Sequence, residues 1–235
     1  MNASLPVRAS ATTTDAMLLA FIAGFVDSVG FVALFGLFTA HVTGNFILLG
    51  AALIRPSHGV IAKLLALPVF LLAVMATTAY VGRHRPQWGT PLTVVVLAQM
   101  LLLTGFGVLG QLALPISNAD QPLAIAAGLI GVAAMGVQNA ASRLLLPELP
   151  PTTVMTGNVT QLAADATQLW FGPRGGDSAA MRTRLAKFWP PLLAFAIGAA
   201  AGAVAYQLLA FFSLGIAVLA LAIVLLRCRG RGVAA

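Results

Sequence analysis

Asp27 sits near the middle of a long apolar run, and that position is what gives it chemistry. A carboxylate at the centre of a membrane-spanning helix costs on the order of 3 kcal/mol unless it is paired or hydrated. There it would serve as a proton carrier or cation ligand, or as an acceptor that locks its helix to a neighbouring segment. The run reads Ala23, Gly24, Phe25, Val26, Asp27; a later one reads Met135, Gly136, Val137, Gln138, Asn139, with amides in place of the acid. Each is followed by the tripeptide Thr-Gly-Asn, at Thr43, Gly44, Asn45 and at Thr156, Gly157, Asn158. Gly24 and Gly136, like Asp27 and Asn139, are 112 residues apart, and the tripeptides are 113 apart, so one single-residue gap aligns both features. The chain therefore reads as two copies of one unit.

Asn139 cannot titrate and suits a hydrogen-bonding or substrate-contact role. Asn45 and Asn158 each carry donor and acceptor, fit either to hold a small polar solute or to cap an opposed half-helix. A helix starting at Thr-Gly-Asn would aim its free N–H groups and positive dipole end at whatever lies beyond. The glycine at its centre would also let another backbone approach closely. Asp27, Asn45, Gln138, Asn139 and Asn158, with Thr43, Gly44, Thr156 and Gly157, are the candidate substrate-binding set. His41 has no counterpart on the tripeptide alignment, where Val154 takes its place; it is either structural or a pH-sensitive gate. Asp165 reads as an interior polar group or as an interfacial acid near a basic loop at 174–187.

The elements that must position these residues follow from hydropathy. Hydrophobic residues make up 60% of the chain and charged ones 8%, too little polar surface to cover a soluble globule. Apolar runs at about 16–38, 62–82, 91–114, 121–142, 189–208 and 210–227 each meet the length of a spanning helix. Segments 41–54 and 153–170, which contain the tripeptides, are too short or too polar to face lipid along a full span. They are expected as re-entrant half-helices or as short helices buried within the bundle. The predicted fold is an all-α polytopic helix bundle with six spanning helices and two short broken or re-entrant ones. A flexible tail at 1–15 precedes a single domain at 16–227, with repeats at 16–114 and 121–227, and a basic tail at 228–235 follows.

The net charge of +7 does not point to nucleic acid, because the basic residues lie between apolar runs and at the end of the chain. With both short segments re-entrant and the N-terminus cytoplasmic, eleven of the thirteen Lys and Arg fall inside; with both spanning, ten do. The first arrangement makes the repeats inverted and the second parallel. Both put the two termini in the cytoplasm. Pro68 and Pro191 are expected to kink their helices, and Gly198 and Gly202 to mark close helix packing, within the protein or between protomers of a homo-oligomer.

No phosphate-cradling loop, zinc-protease helix or nucleophile elbow occurs, so no enzyme and no cofactor are expected. Three His and one Cys, Cys228, do not form a metal-ligand pattern, and Cys228 reads as an incidental thiol.

The stretches AGFVDSVG at 23–30, HVTGNFILLG at 41–50, GVQNA at 136–140 and MTGNVTQ at 155–161 resemble the YoaK-like bacterial membrane proteins, domain-of-unknown-function family 1275. The resemblance covers about 16–227 and implies a multi-pass protein of the bacterial inner membrane, without implying a substrate. Internal duplication in so hydrophobic a chain suggests a small-solute transporter or channel-like permease, with its site between the halves and Asp27 as a proton-coupling group. The alternative is a non-transporting scaffold or assembly partner in which the same polar residues fasten helices together.

Overall fold

Apolar runs of this length have one low-cost conformation in a bilayer, the helix, which satisfies every backbone N–H and C=O internally. The structure, a computed structural model, describes residues 11–54, 58–84, 89–172 and 177–232, and among these it is all-helical. In order the elements are α1 Thr13–Ala33, α2 Gly44–Ala52, α3 Val60–His84, α4 Gly89–Leu112, α5 Pro122–Leu144, α6 Met155–Phe171, α7 Ser178–Leu209 and, after a 3-10 turn at Ala210–Ser213, α8 Leu214–Gly232. Arg8, Arg55, Arg85 and Arg174, which enter the charge count above, lie outside the described residues, as do 1–10 and 233–235.

Five stretches are long and apolar enough to cross a membrane, and the fifth, Ser178–Arg229, runs to 52 residues and holds both α7 and α8. The chain reverses inside it at the 3-10 turn, where Ala210 takes a left-handed backbone with φ of 49°. Phe211 is fully buried there, against the Phe106 and Tyr206 rings. The outer surface is apolar, with Leu101, Leu208, Phe212 and Leu219 exposed. On a soluble protein such a belt would be an association surface; around a helix bundle it is the face that meets lipid.

Named contacts fix the helix directions. A Cβ at Gly198 would collide with the Phe21 carbonyl and one at Gly202 with the Phe25 carbonyl, so α1 and α7 advance together, in parallel. Gly128 packs on Leu34 and Leu37 while Gln138 bonds to Leu19 O, so α5 runs antiparallel to α1. Gln99 meets Gln138 while Phe106 meets Gly131, making α4 antiparallel to α5. Arg229 reaches Thr93 while Phe211 covers Gly110, making α8 antiparallel to α4. Lys63, near the start of α3, donates to Phe35 O just past the end of α1, so α3 returns in the opposite direction.

Several expectations are corrected. The helix of the second half that carries Pro191 starts at Ser178, not near 189, and takes in most of the expected basic loop. Its charges are accommodated because Arg184 makes a two-bond fork to Asp165 at 2.8 and 3.0 Å. The short helices are not buried within the bundle: Asn45 alone of α2 is buried, while Ile47 is 76% exposed and Leu53, just beyond the helix, 90%. At nine residues α2 is roughly 14 Å long, under half a bilayer core. Residues 13–15 belong to α1 rather than to a flexible tail, because Thr12 and Asp15 form a capping box and Arg227 pairs with buried Asp15 at 2.9 Å. The helix likewise continues past 228, with Cys228 buried. Gly198 and Gly202 serve α1–α7 packing within the chain, so the small-residue face offered to a second protomer is already covered.

Candidate functional site

After α1 the chain turns through residues 34–43 before α2 begins, and Asp27 holds that turn. Its Oδ1 accepts from Thr39 N at 2.7 Å, Ala40 N at 2.8 Å and Thr39 Oγ1 at 3.3 Å; Oδ2 lies 2.7 Å from Nδ1 of His41. Charge-assisted hydrogen bonds contribute about 1.5–3 kcal/mol each, so the two short backbone donors alone offset the cost of placing a carboxylate at membrane depth. The donors come from the segment just before Thr43, not from the Thr-Gly-Asn helix end itself. The carboxylate holds the His41 imidazole above its ordinary range, chiefly through the hydrogen bond and against the opposing effect of burial.

The corresponding turn of the second half, 145–154, is held by amides and hydroxyls. Asn139 Nδ2 donates to Thr153 Oγ1 at 2.6 Å. Gln138 Nε2 donates to Leu19 O at 2.8 Å and Thr152 Oγ1 at 3.3 Å, and its Oε1 accepts from Gln99 at 2.7 Å. Both donors of Gln138 are thus spent on helices α1 and the 145–154 turn. Ser142 adds a hydroxyl contact to Thr152 at 2.8 Å. The residue paired with Asn139 is Thr153, fourteen positions on as His41 is from Asp27, and not the Val154 that the tripeptide alignment puts opposite His41.

The tripeptides place no side-chain cap on their own helices. Thr43 has helical backbone and makes no side-chain cap bond, and α6 begins before its tripeptide, at Met155. The asparagines turn back instead. Asn45 Nδ2 donates to Phe38 O at 2.9 Å and its Oδ1 accepts from Phe38 N at 3.0 Å, closing a ring with one residue's backbone. Asn158 Nδ2 donates to Pro151 O at 2.8 Å, seven residues back as before. The second bond has no donor there, because proline lacks an N–H. Thr43, Thr156 and Gly157 are exposed and Gly44 is half-buried against the Phe38 ring.

The nine candidates therefore gather at two separate junctions rather than around one centre. Asp27 is eight residues along α1 from Leu19, the partner of Gln138, a distance of about 12 Å. Asp27 lines a cavity of about 460 Å³ between α1 and α7, with His41, Ser28, Phe31, Phe38 and Phe195 in its wall; the other eight candidates do not line it. Thr39, Gln99, Thr152, Thr153 and Phe195 are not singled out by sequence, and His41 is outside the candidate substrate-binding set although a pH-sensitive gate is one of its two readings. The signal that would have found two of them, His41 and Thr153, is the shared spacing of fourteen from Asp27 and Asn139. Among the described residues no group of three or more His, Cys, Asp or Glu is placed to hold a metal.

A lipid-facing helical bundle whose candidate polar side chains gather at two helix–turn junctions defines a multi-pass membrane protein. The chain belongs to the family described as "Protein of unknown function (DUF1275)", which matches residues 16–227. It is 31% identical over 150 residues to the "UPF0700 transmembrane protein YoaK" of Bacillus subtilis (strain 168), a match covering 63% of this chain and 64% of that protein. No solved structure matches.

Proposed function

We propose that the protein is a proton-linked small-solute transporter or channel-like permease of the bacterial inner membrane, working at the cavity between the two halves of the chain. The observation that carries this reading is the Asp27–His41 pair, at 2.7 Å, in the wall of a cavity lined by α1 of the first half and by Phe195, Ala199 and Ala203 of the second. A paired acid and base at such a wall can pass one proton between solute-bound and empty states. Loss of charge on Asp27 would weaken its hold on Thr39 and Ala40 and free the 34–43 turn to move.

The paired contacts support two inverted repeats, at 16–114 and 121–227. Asp27–His41 matches Asn139–Thr153, Asn45–Phe38 matches Asn158–Pro151, and α1 runs antiparallel to α5. In this reading α1, α3, α4, α5, α7 and α8 are six spans, and α2 and α6 lie at opposite membrane faces. Pairing of Asp15 with Arg227 supports both termini on one face, and the basic residues favour the cytoplasm. The partners proposed are lipid and a small solute, with no nucleic acid, no cofactor and no enzymatic reaction.

A scaffold role is the second reading, favoured by Gln138, whose two N–H donors are both spent on protein. The deciding experiment is uptake and export of a metabolite panel in deletion and overexpression strains, followed by proteoliposome flux with the solute found. Transport coupled to proton movement, uncoupled in a folded Asp27→Asn protein, is the expected result. A folded Asp27→Asn protein that transports and couples as before removes Asp27 from the mechanism, and no solute flux at all favours the scaffold.

A further inference from the structure

We propose that the α1–α7 cavity binds a small organic cation, an amine or quaternary ammonium with an apolar body, whose charge replaces His41 at Oδ2 of Asp27. This names the substrate class for the transport reading, on which it rests. Three features of the wall point to a cation. The first is chemical: apart from the Asp27–His41 pair and the Ser28 hydroxyl, the side chains lining the cavity are apolar, and three of them are phenylalanines. An anion that displaced His41 would meet a bare carboxylate there, and a neutral solute that displaced it would leave that carboxylate uncompensated, whereas a cation would replace the lost charge and aromatic faces attract it by their quadrupole. The second is the arrangement of the rings. Phe31 and Phe38 lie 4.9 Å apart, and Phe195 from α7 contacts the His41 ring at 5.4 Å, so a cation displacing the imidazole enters ground already flanked by aromatic rings.

The third is the asymmetry of the carboxylate. Oδ1 is held by the backbone of Thr39 and Ala40, while Oδ2 has the His41 ring as its partner, and that ring is about one-third exposed. A ligand can therefore displace His41 without dismantling the turn. At 460 Å³ the space falls within the range of small-molecule pockets.

The exchange balances in charge. When the cation reaches Oδ2, the imidazolium loses its counter-ion and gives its proton to water, so one positive charge enters as one proton leaves. The groups facing the pair do not supply a rival charge. From α7 come Phe195, Ala199 and Ala203, and α2 carries no ionisable residue. Lys63 of α3 is turned to Phe35 O and His58 O on the other side of the turn, and Asp15 and Arg227 pair with each other at the far end of α1.

The test is calorimetric titration of the intact detergent-solubilised protein with benzyltrimethylammonium, which has no proton to lose, against the neutral benzyl alcohol. Buffers of different ionisation enthalpy read the protons released. Expected are binding of the cation with release of a proton at pH values between the ordinary imidazole value near 6.5 and the higher value of the paired ring, and affinity that rises with pH across that window. Benzyl alcohol should bind far more weakly, and affinity should fall by about thirtyfold or more in Asp27→Asn. Phe195→Leu should weaken the cation about two- to fivefold while leaving proton release intact. His41→Asn, which leaves the carboxylate in place if Asp27→Asn does not fold, should still bind the cation but without releasing a proton. No binding, equal binding of the alcohol, unchanged affinity in folded Asp27→Asn, or undiminished proton release in His41→Asn would overturn the proposal. A protein that binds the cation but moves none in proteoliposomes sinks the transport reading alone; one that moves another solute and binds no cation sinks this inference alone.

Discussion

Asp27 reaches forward fourteen residues to His41 at the end of one helix, and Asn139 reaches forward fourteen to Thr153 at the end of another. Seven residues before the buried asparagine of each short helix lies the backbone group it holds, Phe38 for Asn45 and Pro151 for Asn158. The scaffolding of the two junctions is the same, and the chemistry differs. The first has an acid, a base and a cavity; the second has amides and hydroxyls that use their donors on one another and on helix α1 and accept from Gln99 of α4. What this teaches is that a buried polar residue in a bundle is a functional candidate only when its hydrogen-bonding capacity is not exhausted by the fold. Gln138 fails that test and the Asp27–His41 pair passes it, although Gln138 and Asp27 are both buried and both conspicuous in an apolar run.

The sharpest way to break the comparison is to truncate the two anchors. Asp27→Ala strands the buried N–H groups of Thr39 and Ala40, at about 1–3 kcal/mol each, whereas Asn139→Ala removes one bond to a hydroxyl, about 1 kcal/mol. Thermal melting in detergent should show the larger loss for Asp27→Ala, and amide exchange at Thr39 and Ala40 should accelerate in that variant alone. Equal losses would mean the junctions are held by packing and not by these side chains. Next in size are the glycines one turn earlier. An alanine at Gly24 would overlap the Phe195 carbonyl, a backbone atom that cannot yield, while at Gly136 it would meet Ala73 Cβ at 2.9 Å and Phe70 O at 3.0 Å. Gly24→Ala should cost about 3 kcal/mol and Gly136→Ala about 1 kcal/mol, within the range for overpacked cores. The reverse order in melting temperature would refute the closer approach of α1 to α7.

The difference between junctions was the part that sequence concealed. Hydropathy located the long helices within a few residues because an apolar run of spanning length has few alternatives to the helix. It missed the first eleven residues of α7, where Arg182, Arg184 and Lys187 lower the hydropathy without breaking the helix, since Arg184 is paired to Asp165 from α6. Asp27, Asn45 and Asn158 stood out by type, but their partners are backbone groups of irregular turns, and no side-chain pattern identifies a backbone donor. The tripeptides drew attention to helix capping, a local propensity that the structure leaves unused at Thr43. For His41 the tripeptide register offers no mate, which leaves a structural role and a pH-sensitive gate both open; the helix register, one residue different, pairs its place with Thr153.

A smaller effect separates the two asparagines. Asn45 makes two bonds to Phe38 and Asn158 one to Pro151, so alanine should cost about 2 kcal/mol at the first and about 1 kcal/mol at the second. Thermal melting of the two single variants compares them directly. If Asn158→Ala proves the more damaging, the second bond of Asn45 carries no weight and the likeness of the turns rests on Nδ2 alone.

The smallest effect is the most specific to the charged junction, because Thr153 has nothing to titrate where His41 does. The His41 pKa lies above its ordinary 6.5 through its bond to Asp27, so folding takes up protons on this ring. The stability it contributes is complete below the unfolded value near 6.5 and is lost as pH rises through the higher folded value. Melting temperature in detergent should therefore fall across that window as pH is raised. His41→Asn should flatten this part of the profile, and Thr153→Ala should lower the whole profile without changing its shape. Since the imidazole is about one-third exposed, water screens the pair and the change should be about 1 kcal/mol or less. A pH profile that keeps its slope in His41→Asn would place the titrating group elsewhere and would leave the two junctions alike in chemistry as well as in scaffold.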